Sequence, residues 1–275
     1  MIIEMELRGY SKRSIEKYLY VVTMFAQFYK KSPDLLGEKE IRDYLHYCIT
    51  NKNLCEGSIN FYNSCLKFFY TKVLHRQWNS DDVPRMKLHK KLPVIISPDE
   101  VNSIFCATQN IKHKAIFMTI YAAGLRVSEV CNLKISDIDS KNMQIIVRKG
   151  KGKKDRHTIL SNENLKLLRD YWRIYKPKTF LFEGRAGNCT LSVKTVELSL
   201  EKAVLKSGVT KHVTPHTLRH AFATHLLNGG TDICYIQTLL GHSNISTTTI
   251  YLHLRRYDLL NVKSPLDVLI GEHNA

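Results

Sequence analysis

The sequence predicts a mainly α-helical protein in two parts, the second of which also carries a small antiparallel sheet. Apolar residues recur at three- and four-residue spacing along most of the 275 residues, the signature of amphipathic helices. One segment, "MQIIVRKGKGKKDRHTIL", departs from that pattern, with β-rich runs on either side of a Gly/Lys turn. Another, "HRQWNSDDVPRMKLHKKLPV", has no periodicity, two prolines and a cluster of Arg and Lys, and reads as a linker. The chain therefore divides near residue 90: a helical unit over 1–85, a linker over 86–96 and a second unit over 97–275.

In the first unit, Ile15, Tyr18, Leu19, Val22, Phe25, Ala26 and Tyr29 mark a helix from Ser11, its N-cap, to about Lys30. Two more follow, from about Glu38 to Asn51 and from about Glu56 to Leu74, where Leu66, Phe69 and Val73 share a face. Short connections imply a compact helical unit. The second unit opens with Ser97 as N-cap, Pro98 at the first helical position and Glu100 completing a capping box. A helix through "HKAIFMTIYAAG" ends at Gly124. The hairpin joins runs 143–148 and 156–160, and helical patterns then recur at 161–175, 191–207, 215–228, 232–240 and 246–254, with "NGG" and "LGH" as stops.

Charge narrows the partner. With 41 Lys+Arg against 25 Asp+Glu the net charge is +16, which favours a polyanion and puts nucleic acid first. An anionic membrane is the competitor, but no apolar run is long enough to span a bilayer and neither "MIIEMELRGY" nor "GEHNA" carries a lipidation signal. A cytoplasmic protein with no membrane partner is expected. The seven cysteines are an odd number with no C-x-x-C pair, and they read as free thiols in a reducing compartment.

Chemistry concentrates in "TPHTLRHAFATHLL". Thr214 caps a helix and Pro215 opens it, so His216 falls in the first turn, where free N–H groups favour an anion, with Arg219 one turn along. His225 lies beside the apolar stripe of Leu218, Phe222 and Leu226 and reads as a boundary residue, while His220 is left as a neighbour of the site. A zinc site would set Arg219 between its ligands and lacks the H-E-x-x-H glutamate, so no metal is expected. A phosphate reading needs further donors, and the chain offers them: Arg126 after Gly124, with Glu129 placed to orient it; Lys151 between two glycines; His242 after a glycine stop; and Tyr251.

In this order, "GLRVSE", "GKGKKDR", "HTLRH" and "LGHSNISTTTIY" resemble the catalytic motifs of the tyrosine recombinase (phage integrase) family, most closely its short Xer-like members, and "LRGYSKRSIEKYL" resembles the opening of that family's core-binding domain. The resemblance implies a SAM-like helical core-binding domain followed by an α+β catalytic domain. It implies a site-specific recombinase that cleaves and rejoins duplex DNA through a 3′-phosphotyrosyl intermediate, without metal or cofactor. Its implied catalytic set is Arg126, Lys151, His216, Arg219, His242 and Tyr251, with Tyr251 as nucleophile, His216 as candidate base and Lys151 as acid to the leaving 5′ oxygen. Arg148, Lys149, Lys153, Lys154 and Arg156 of the hairpin are expected DNA contacts. A homotetramer on two sites, joined by exchange of the C-terminal tail, is also implied. Because helical pattern begins almost at Met1, no separate arm-binding domain is expected before it. A type IB topoisomerase and a catalytically silent DNA-binding factor are the competing readings.

Overall fold

The computed structural model describes residues 1–89, 94–148, 155–185, 187, 189–242, 244, 245, 248, 249 and 251, and the chain falls into two units, Met1–Lys91 and Leu92–Ala275. Helices α1 (Ile2–Leu7), α2 (Lys12–Tyr29), α3 (Glu38–Thr50) and α4 (Glu56–Phe68) build the first. Ser11 caps α2, its side chain accepting from the Ser14 N–H, as its place ahead of the apolar pattern predicts. Helix α1 lies outside any sequence expectation, since six residues are too few to show a period. The run read from Glu56 to Leu74 holds, but its last turn, Phe69–Val73, is a π-helix. Val22, Phe25, Ile41, Tyr44, Ile59 and Leu66 form the core.

The segment after α4 is tied down for much of its length. Val83 is buried in this core, Asn60 donates to Met86 O at 2.9 Å and accepts from Met86 N at 2.8 Å, and Asn63 donates to the Val83 carbonyl. His89 Nδ1 still meets Glu56 Oε1 at 2.9 Å. A strap held by side-chain-to-backbone bonds has no period to read, which is why the sequence presents it as a linker.

The second unit is organised around α6 (Ile111–Ala123), preceded by α5 (Pro98–Ala107) with the expected Ser97–Glu100 capping box. Ala115, Ile116, Phe117, Ile120 and Ala123 of α6 are fully buried, so the helix is apolar nearly all round and central. Packed on it are α8 (Asn162–Tyr175), α9 (Val193–Ser207) and α10 (Pro215–Asn228). A short α7 (Val127–Cys131) follows Gly124, and α11 (Ile233–Leu240) follows α10. Gly124 has φ +61°, and a Cβ there would sit 2.4 Å from the Phe222 ring, so both turn and packing require glycine.

A three-stranded antiparallel sheet runs β1 (Ile138–Asp139), β2 (Gln144–Val147), β3 (Arg156–Ile159), with Ile145 opposite Thr158 and Val147 opposite Arg156. Thr158 Oγ1 donates to Ala123 O at 2.8 Å and fastens the sheet to the end of α6. The cysteines are all free. Among the described residues no helix is long and apolar enough to cross a membrane.

Candidate active site

Three segments converge: the turn from α6 to α7, the first turns of α10, and the described residues after α11. Arg126 caps α7, and Glu129 three residues on reaches back to it, Oε2 accepting from the Arg126 N–H at 2.8 Å and Oε1 from its guanidinium at 2.7 Å. The orienting role read for Glu129 from sequence is thus present as geometry. The same carboxylate accepts two bonds from Arg156, both 2.7 Å, and lies 3.6 Å from Arg219.

Arg219 is 1% exposed, and two backbone carbonyls that end other helices hold it: Nη1 donates to Gly124 O at 2.6 Å and Nη2 to Leu240 O at 2.7 Å. Nη2 also lies 3.2 Å from His242 Nε2. A guanidinium only donates, so His242 Nε2 accepts, its proton sits on Nδ1, and Nδ1–H donates to Thr248 Oγ1 at 2.9 Å. The Tyr251 N–H in turn donates to the Thr248 carbonyl at 3.0 Å.

Tyr251 is 2% exposed, and its hydroxyl meets His220 Nδ1 at 2.8 Å. The His220 ring packs edge to face against His216, with centroids 4.2 Å apart. Sequence reading left His220 outside the catalytic set, and the signal available there was its place directly after Arg219, one turn beyond His216. His225 is the boundary residue expected, its ring nitrogens meeting Tyr121 Oη and Ile96 O.

Burial and arginine charge set the protonation states. Burial, then His216 and Arg219, push His220 down to about 4; burial, then Arg219 and Arg126, push His242 to about 4 and lower His216. All three rings are neutral at pH 7. Burial raises Tyr251 to about 12 although Arg219 and Arg126 pull it down. Burial alone would raise Glu129 too, but the bonds and charge of Arg156, and then the bonds from Arg126, outweigh it and hold the carboxyl at about 2. Arg219, lowered to about 9 by burial and by Arg126, remains a cation.

The structure therefore brings Arg126, His216, Arg219, His242 and Tyr251 together. Lys151 lies outside the described residues, as do Lys149, Lys153 and Lys154. Arg148 is more than half exposed, with Nε on Asp137 Oδ1 at 2.6 Å. Arg156 corrects the sequence reading. Instead of reaching outward to DNA, its side chain is 9% exposed and turned inward, Nε donating to Leu239 O at 2.9 Å and both terminal nitrogens to Glu129. Among the described residues, no group of three or more His, Cys, Asp or Glu is placed to hold a metal ion.

Residues 95–257 match the phage integrase family, and residues 1–80 match the phage integrase N-terminal SAM-like domain. This chain is a phage integrase family member. It is 43% identical over 267 residues to a Sinorhizobium fredii protein named as an integrase/recombinase, covering 97% of this chain and 87% of that one. It is 38% identical over 252 residues to the tyrosine recombinase XerA of Pyrococcus horikoshii, covering 90% and 85%. In fold it is similar to lambda integrase, solved as a dimer bound to a COC′ core site, with a TM-score of 0.75 at 20% identity over 95% of this chain and 96% of that one. As a tyrosine recombinase family member the chain has DNA recombination as its class of activity, and the mainly helical two-domain architecture is the one its sequence implies.

Proposed function

We propose that this chain cuts and rejoins duplex DNA at specific sites through a 3′-phosphotyrosyl bond to Tyr251. The observation that carries the reading is one connected network, Arg126 to Glu129 to Arg219 to His242 to Thr248 to Tyr251 to His220, in which two phosphate-type donors and a tyrosine hydroxyl share one pocket of neutral histidines. Tyr251 Oη attacks phosphorus, the bond from phosphorus to the 5′ oxygen breaks with its electron pair on that oxygen, and Lys151 protonates it. The phenolic proton passes to a neutral histidine. His220 is in contact with it, and His216, the base read from sequence, is that ring's immediate neighbour.

Arg126 and Arg219 present guanidinium forks to the non-bridging oxygens, where charge grows in the transition state. An entering phosphate accepts the Arg219 Nη2 N–H bond now made to His242, and His242 donates to the same phosphate once its ring proton moves from Nδ1 to Nε2, with the Thr248 hydroxyl then donating to Nδ1. The phosphotyrosyl bond keeps the energy of the broken strand, so rejoining needs neither nucleotide nor metal. Arg148, Lys149, Lys153 and Lys154 grip the backbone from the hairpin, and units 1–85 and 97–275 clamp the duplex. Assembly is a homotetramer on two sites, coupled by the tail over 262–275, which lies outside the described residues; the protein acts in the cytoplasm. The core site held by lambda integrase, similar in fold, supports duplex DNA as the partner.

The test is a nicked suicide duplex carrying a site selected by binding, from which the freed strand diffuses away. After denaturation the full chain should remain attached to DNA with or without EDTA, whereas Tyr251→Phe should bind equally and attach none. Attachment by Tyr251→Phe would move the nucleophile to another tyrosine. No attachment by the full chain would leave a DNA-binding factor.

A further inference from the structure

Arg156 opens β3 directly after the lysine-rich hairpin tip, and its surroundings assign it a task other than gripping DNA. Three of the five N–H donors of a guanidinium are placed on protein acceptors: two on the two oxygens of Glu129 and one on the carbonyl of Leu239 in the last turn of α11. The stem is fixed as well. Gly241 ends α11 with φ +63°, and a Cβ there would lie 2.6 Å from Arg156 Cδ, so the helix terminus is seated against this side chain. One residue therefore ties the sheet to α7 and to the end of α11, whose next carbonyl, Leu240 O, holds Arg219 and whose next residue but one is His242.

We propose that Arg156 is a positioning residue for strand cleavage: by satisfying both oxygens of Glu129 while holding the end of α11, it keeps Arg126 and Arg219 in register and keeps the carboxylate from closing on Arg219. The inference rests on the recombinase reading above. Glu129 is one anion facing three guanidinia, at 2.7 Å from Arg126, 2.7 Å from Arg156 and 3.6 Å from Arg219. With Arg156 in place the bidentate demand of the carboxylate is met by a residue that touches no substrate. Without it, Glu129 Oε2 turns to Arg219 Nη1, and the carboxylate, already on Arg126, also takes up the second arginine that should bind phosphate. Lysine cannot replace it, because an ammonium has no fork to span both carboxylate oxygens and reach Leu239 together.

The measurements are single-turnover covalent attachment at saturating suicide duplex, DNA affinity across a salt series, and thermal midpoint, for the full chain, Arg156→Lys and Arg156→Gln. Attachment should slow by roughly a hundredfold in Arg156→Gln and at least about tenfold in Arg156→Lys, as when preorganised donors lose alignment. DNA affinity and its salt slope should hold, and the acid limb of the attachment rate should move to higher pH in Arg156→Gln, because Glu129 loses the partner that most favours its ionised form. A salt slope reduced by about 0.9 in Arg156→Gln would make the residue a phosphate contact and overturn the proposal. Unchanged attachment in folded variants, or loss of folding in both, would overturn it as well, the latter by making Arg156 a stability element. If the full chain itself attaches to no DNA, the recombinase reading falls and this proposal with it; an attaching full chain with equally active variants removes this proposal alone.

Discussion

The two units bury polar side chains in different company. In the helical unit, buried Tyr70 and Asn63 bond to main chain: Tyr70 Oη donates to Leu36 O at 3.0 Å and Asn63 to Val83 O at 3.1 Å, each fastening a loop or strap to a helix. In the second unit, ionised and ionisable groups also bond to one another, with Arg126, Arg156 and Arg219 around Glu129 and His242 beyond. A neutral side chain on a carbonyl is a brace, because its partner has nowhere else to go. A cluster holding three guanidinia on one carboxylate keeps an excess of positive charge inside the protein, which is costly unless an anion comes to it. The first arrangement builds shape, and the second fits the phosphate site proposed above.

Substitution should separate the two. The largest expected effect is on chemistry: Arg219→Ala should lower the rate of covalent attachment by on the order of a hundredfold or more while leaving DNA affinity within a few-fold. Equal losses of both would make Arg219 an anchor and blur the contrast drawn here. Next comes stability in the other unit. Asn63→Ala leaves the buried Val83 carbonyl without its donor and should cost about 1–3 kcal/mol, read as a lowered thermal midpoint with attachment unchanged once the protein is folded.

The third expected effect is on acid stability, and its sign is fixed. His220 and His242, at about 4 against an unfolded value near 6.5, bind fewer protons folded than unfolded. Their contribution is complete above pH 6.5 and is lost as pH falls toward 4. Thermal midpoints should drop across that window, and His220→Gln with His242→Gln should flatten the drop. An unaltered slope would mean that the second unit holds its histidines no differently from exposed ones.

Much of this was legible in the sequence because helix ends carry local chemistry. Ser11, Ser97 with Glu100, Gly124, and Thr214 with Pro215 cap or stop helices where their types predict. Helices α1 and α7 and strand β1 span too few residues to show a period. The site motifs named Arg126, His216, Arg219, His242 and Tyr251 as a set, but not which histidine meets the tyrosine, since that depends on how the segment after α11 returns to α10.

Arg156 was misread for a reason that strand geometry explains. A charge run reads as one solvated tip, yet directly opposed residues of a hairpin share a face, and Arg156 is opposite the buried Val147 as Thr158 is opposite the buried Ile145. The alternation of the apolar residues on β2 marks the inner face. Projecting it across the hairpin would have turned Arg156 inward.

The seclusion of Tyr251 also bears on hazard. A cell offers an enzyme of this kind millions of phosphodiesters that are not its target, and each stray nick is a lesion. At about 12, the hydroxyl is ionised in roughly one molecule in 10⁵ at pH 7, against about one in 10³ for a free tyrosine. Lying 2% exposed beneath its own helices, it also presents no oxygen to passing DNA. Under the proposed mechanism, discrimination between right and wrong DNA is settled before any bond is broken, by whether the bound duplex brings a phosphate to that buried hydroxyl.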